Sequence, residues 1–106
     1  MKGDMAMSCD LVFAKFLSGR LLATKNAISE IPPKEMATAL YRHLNCDWGD
    51  ICDSDKKRND HALDKGERLL SAYHTFSSKE PKREVKFWII TEADRSATTV
   101  LLPSDY

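Results

Sequence analysis

Four carboxylates, Asp47, Asp50, Glu92 and Asp94, are the side chains here with the most chemistry available to them. Hard divalent cations take oxygen ligands, so this set can be read as a Mg²⁺ site for a metal-dependent nuclease or other hydrolase. Each also has a plain local use. Asp47 and Asp50 can satisfy backbone donors in a turn, and Glu92 and Asp94 can close a tight connection and pair with Arg95. A softer site can be drawn from His43, Cys46, Cys52 and His61, but the spacing H-x2-C-x5-C-x8-H fits no standard zinc module. Small buried thiols and surface histidines are expected there instead, with no metal and no cofactor. A catalytic cysteine would have to ionise beside a run of aspartates that raises its pKa. The expectation is therefore a protein without a catalytic residue.

The same residues suit recognition better. Asp47, Asp50, Asp53 and Asp55 surround Trp48 in "NCDWGDICDSD", and together these five form a candidate partner-binding surface. For Trp48 the favoured reading is nevertheless a ring folded over the edge of the core. The string "TEADRS" supplies a structural clasp, Glu92, Asp94 and Arg95, in which Arg95 is expected to reach carboxylates of the loop 47–53 by paired hydrogen bonds.

Sixteen Lys and Arg balance sixteen Asp and Glu, with six of each sign up to Asp50 and ten of each after it. Without a basic surplus, phosphate binding lacks its main driving term, so direct sequence-specific nucleic-acid binding is not expected. A local patch of Lys79, Lys82, Arg83 and Lys86 beside Trp88 is diluted by Glu80 and Glu84. Three cysteines and no signal-peptide pattern indicate a reducing, cytoplasmic setting. No apolar run approaches the roughly 20 residues that cross a bilayer, so no membrane partner is expected.

These residues need elements to hold them. A chain of 106 residues suits one domain, with residues 1–7 expected to fray. Ser8 or Asp10 can cap a helix carrying Leu11, Val12, Phe16 and Leu17 that Gly19 ends. Leu21–Ala23 reads as extended, and Thr24 can cap a brief helix through Ile28. Pro33 opens a helix with Met36, Leu40 and Leu44 on one stripe. Asp53 or Ser54 caps another, from about Asp55 to Lys65, with Gly66 as its stop. The period then switches to two. Leu69–Phe76, Val85–Glu92 and Thr98–Leu102 are three strands, expected to pair as an antiparallel meander. The fold class is α+β, N-terminal helices on a C-terminal sheet of about three strands.

Taken together, "DWGDICDSDKKRNDHALDKGERLLSAYHT" and "KFWIITEADRSATTVLLPSDY" resemble a family of small bacterial proteins of plasmids and other mobile elements. The likeness covers Leu21 to Tyr106, apart from Ser77–Glu84. It is most specific at Asp47-Trp48-Gly49, Asn59, Arg68, Ser71-Ala72-Tyr73 and Trp88 to Ser96; Cys46 and Cys52 depart from the pattern. The resemblance implies a genomic setting rather than a reaction. In that setting a small neutral protein is expected to dock onto a host defence protein or ribonucleoprotein complex and inhibit it, in the manner of anti-CRISPR or anti-restriction proteins.

Overall fold

The computed structural model describes residues 14–106, and the expectations for the first seven residues and for most of the first helix lie outside that range. From Ala14 to Gly19 the chain is not helical, and Lys15 N–H donates to the Leu44 carbonyl at 2.8 Å. Strand β1 is Arg20–Ala23. Helices α1, Lys25–Glu30, α2, Pro33–Leu44, and α3, Asp53–Lys65, follow it. Strands β2, Leu69–Phe76, β3, Glu84–Thr91, and β4, Ala97–Leu101, complete the sheet, and Pro103–Asp105 makes one 3₁₀ turn.

The α+β class stands, but the sheet has four strands and is mixed, in the order β1-β4-β3-β2. β2, β3 and β4 form the antiparallel meander, and β1 lies parallel to β4, with Leu21 opposite Thr98 and Leu22 opposite Thr99. A short extended segment so far from β4 in sequence carries no local signal of this pairing, since only sequential strands announce theirs through a turn.

Local chemistry explains the helices. Thr24 Oγ accepts from Ala27 N–H at 3.1 Å and starts α1. Pro33 sits at the first position of α2, where a missing N–H costs nothing. Helix α3 carries Asp53 and Asp55 in its first turn and Lys65 in its last, in favour with its dipole, and stops at Gly66 with φ 71°.

Period two sorts the sheet into two faces. Leu69, Ser71 and Tyr73 share one face with Val85, Phe87, Ile89 and Thr91, and with Thr98 and Val100. This face holds the core, where Phe87, Ile89, Val100 and Tyr73 meet Ala27 and Ile31 of the α1 segment and Ala39 of α2. Each buried large side chain there contributes about 1.5–3 kcal/mol. A second cluster, Trp48, Ala62 and Leu69 with Phe16, Ile51 and Leu63, joins α3 to the same face.

Candidate functional site

The acidic loop is held to the sheet rather than splayed into solvent. Gly49 forms a parallel bridge with Ala72, Asp50 N–H donates to Ala72 O at 2.7 Å, and Ala72 N–H donates to Trp48 O at 3.2 Å. Gly49 has φ 75°, and a Cβ there would lie 2.0 Å from the Ala72 oxygen, so no other residue fits. The Tyr73 hydroxyl donates to Asp47 O at 2.7 Å.

Most of the loop's carboxylates already have a cation. Asp47 receives Nε and Nη2 of Arg42 at 2.8 and 3.2 Å, which holds its carboxyl below the usual range. Asp50 takes the His74 Nδ1–H at 2.6 Å and raises that histidine's pKa. Asp55 lies 3.6 Å from Arg58. Only Asp53 has no ion pair among the described residues.

Trp48 corrects the picture of an exposed anchor. It is 3% exposed, packs on Phe16 and His43, and its indole N–H donates to Asp60 at 3.1 Å. A large ring beside apolar Leu69 and Ala62 gains more from burial than the turn chemistry around it suggests.

The four carboxylates read as a Mg²⁺ set are not brought together. Asp50 sits beside Ala72 of β2, whereas Glu92 follows Thr91, whose partner is Leu69, roughly 10 Å further along the strand. Glu92 faces Arg68 at 4.0 Å. Asp94 accepts from Ser96 N–H at 3.0 Å, and hydrogen bonding to Ser96 lowers its pKa. Among the described residues no group of three or more His, Cys, Asp or Glu is placed to hold a metal. Cys52 is exposed beside Ser54, and burial pushes the Cys46 thiol's pKa up.

Arg95 is a clasp, but on different partners from those expected. Its guanidinium donates to the carbonyls of Glu67 at 2.7 Å, Glu92 at 3.1 Å, Ala93 at 3.3 Å and Ala62 at 3.3 Å. Arg95 has φ 61°, and its guanidinium also lies over the Phe16 ring. Asp47 and Asp50 are taken by Arg42 and His74. What Arg95 reaches instead are backbone carbonyls at the end of α3 and just beyond it, Ala62 and Glu67, and in its own turn, Glu92 and Ala93.

His43, expected at the surface, is fully buried inside a chain of hydroxyls. Thr98 Oγ–H donates to Ser18 O at 2.7 Å, because a carbonyl can only accept. Thr98 must then accept from Thr91 at 2.7 Å, so Thr91 accepts from His43 Nε2–H at 2.8 Å. Ser71 Oγ–H therefore donates to His43 Nδ1 at 2.5 Å. Burial, with a contribution from nearby Arg95, lowers the His43 pKa to about 3. Both Ser71 and His43 are fully covered, so this Ser–His pair has no access to a substrate.

The other sheet face lies outside the two core clusters, although Ile90 and Leu101 on it are buried. Its rows are set by strand register: Leu22, Thr99, Ile90 and Leu70 form one, and Leu101, Trp88 and Ala72 the next. Charged residues flank this apolar band, Arg20, Glu92 and Arg68 on one side and Lys86 and His74 on the other. Tyr106 packs on Trp88 edge to face at 5.8 Å between ring centres. Arg68 stacks on Tyr106 and donates to its hydroxyl at 2.7 Å. Tyr106 remains 70% exposed and Trp88 is half-buried. The shared parity of Arg68, Leu70, Trp88 and Ile90 was readable from the pattern of two; nothing local in the sequence points Tyr106 at Trp88. Comparison with protein-family models, with curated proteins and with solved structures finds no match for the chain.

Proposed function

We propose that this is a non-enzymatic binding protein of a mobile element, which acts in the cytoplasm by docking onto a host defence protein or ribonucleoprotein complex and inhibiting it. One observation carries the docking surface: Arg68, Tyr106 and Trp88 are packed together on the sheet face opposite the core clusters, where Ile90 and Leu101 are buried beneath and Tyr106 stays 70% exposed. Arg, Tyr and Trp are the residues that concentrate binding energy in protein interfaces, and a preformed stack loses little conformational entropy when it docks. Asp47 and Asp50 in the loop and Asp53 and Asp55 in the first turn of α3 are mostly paired, so they belong to the rim, where they steer encounter.

The test is a plasmid-challenge assay in cells with an active defence system, paired with affinity capture of the partner. Wild-type protein should protect the incoming plasmid, and Trp88→Ala and Tyr106→Ala should lose protection and capture together while remaining folded. Joint neutralisation of the four aspartates should slow association and reduce its salt dependence, leaving dissociation nearly unchanged. Equal protection by the wild type and by folded Trp88→Ala would sink the sheet-face reading.

A further inference from the structure

The two edges of the sheet are finished differently. At the β2 edge, the Asn59 side chain stands in for a neighbouring strand, donating to Leu70 O at 2.6 Å and accepting from Leu70 N–H at 3.2 Å. The next outward pair, on Ala72, is taken by Trp48 and Asp50. Every outward group from Leu70 to Ala72 is thus occupied. Such covering is how proteins prevent edge-to-edge association.

The β1 edge has no such cover among the described residues. Arg20 and Thr24 N–H donate inward to Ser96 and Val100 at 2.9 and 3.0 Å, so alternation turns the N–H and C=O of Leu21 and Ala23 outward. Exposed apolar side chains gather at the same place. Of the seven large hydrophobics exposed among the described residues, Leu21 and Leu22 lie in β1, Leu17 lies three residues before it and Ile28 lies in α1, which follows it. Leu21 is 56% and Leu22 40% exposed.

We infer that β1 is a pairing edge for a second copy of this chain, joined antiparallel about a two-fold axis that passes by Leu22, so that two four-stranded sheets become one of eight. This register pairs the two outward-facing residues of β1 with each other, within the strand itself. Leu21 faces Ala23 of the second copy and Ala23 faces its Leu21, each pair exchanging two main-chain hydrogen bonds. Leu22 then meets its own counterpart in the close, non-hydrogen-bonded position between them. Charge agrees with this register. Arg20 falls opposite Thr24 of the second copy, and Thr24 holds Asp105 through a 2.6 Å hydrogen bond. Asn26 and Leu102 N–H also donate to Asp105, at 2.7 and 3.0 Å. Neither Arg20 nor Asp105 has an ion pair among the described residues. The two-fold brings each beside the other, twice. A symmetric, self-complementary patch is the commonest route to a soluble dimer.

Sedimentation equilibrium over a wide concentration range should give a species of twice the 12.0 kDa chain mass, and Arg20→Asp should raise its dissociation constant at least about tenfold by placing two acids together. Register is tested by crosslinking in a background with Cys9, Cys46 and Cys52 replaced by Ser. Leu22→Cys should oxidise to a covalent dimer, since Cα atoms in that position approach to about 4.5 Å. Leu21→Cys, whose counterpart is Ala23, should not. Both sites are exposed, so circular dichroism should report intact folds. A monomer at every concentration overturns the inference. So does a dimer indifferent to Arg20→Asp that fails to crosslink through Leu22→Cys, because it uses another face; a strand from a different protein on this edge would leave the isolated chain monomeric.

Discussion

Arg95 donates a 2.7 Å hydrogen bond to the carbonyl of Glu67, and in doing so ties the turn between β3 and β4 to the chain leaving α3. The same guanidinium serves Ala62, Glu92 and Ala93, so one side chain answers four carbonyls from two segments distant in sequence. Arg95→Ala should lower stability in denaturant melts by about 2 kcal/mol or more, the scale of several charge-assisted hydrogen bonds lost together. Arg95→Gly should cost less than Arg95→Ala, because φ 61° favours glycine. A loss within about 0.5 kcal/mol for Arg95→Ala would mean that water replaces the guanidinium at no cost.

The buried histidine sets an acid limit on stability. Between its folded pKa of about 3 and the unfolded value of 6.5, the unfolded chain binds a proton that the folded chain refuses. Stability therefore rises with pH through that window, by up to about 1.4 kcal/mol per unit, and His43 supplies no further change above it. Denaturation of the wild type at pH 7 and pH 5 should show this loss, and a folded His43→Gln protein should show much less of it. A slope unchanged by the substitution would assign the acid sensitivity elsewhere.

His74 titrates in the opposite sense. Its Asp50 partner raises the folded pKa above the ordinary 6.5, so the pair stabilises the fold below that value and the contribution is lost as pH rises through the folded pKa. Two-dimensional NMR should find the His74 midpoint above that of a model peptide, returning toward it in Asp50→Asn. An Asp50→Asn midpoint equal to that of the wild type would show that the 2.6 Å contact does not persist in solution.

Replacing Asn59 tests the covered edge. Asn59→Ala removes both hydrogen bonds to Leu70 from a residue only 5% exposed, and should cost about 2 kcal/mol or more. The uncovered strand should also speed aggregation, followed by light scattering at a temperature where the fold remains intact. Asn59→Asp keeps the acceptor for Leu70 N–H but faces the Leu70 carbonyl with a second acceptor, so it should not restore stability.

Much of this architecture was written in local pattern. Thr24, Pro33 and Gly66 mark helix ends through their own backbone chemistry, and the period of two from Leu69 onward yields three strands and their antiparallel pairing. What escaped depends on distance along the chain. Leu21–Ala23 looked extended, yet its neighbour is some 75 residues away, so its place in the sheet has no local marker. The partners of Arg95 were misjudged for a related reason. Carboxylates attract a guanidinium on paper, but in the fold Arg42 and His74 had already taken them. His43 was read through polar neighbours, Asn45 among them, whereas it is buried beneath Phe16; Trp48, offered both as an anchor and as a core-edge ring, takes the core-edge place.

The hydroxyl chain through His43 also acts on alternatives the polypeptide never adopts. Thr91 stands directly opposite Thr98 in the β3–β4 ladder. Sliding β4 by two residues would keep every side chain on its own face, so hydrophobic burial alone discriminates weakly against that error. The slip would put Val100 or Ser96 where Thr98 belongs and leave Thr91 and His43 without the sequence of donors that ends at Ser18 O. Unsatisfied polar groups at the centre of the sheet are costly in a way that a displaced methyl group is not. The network works as a key cut for one alignment of the strands, and it selects the native register by what it denies to its competitors.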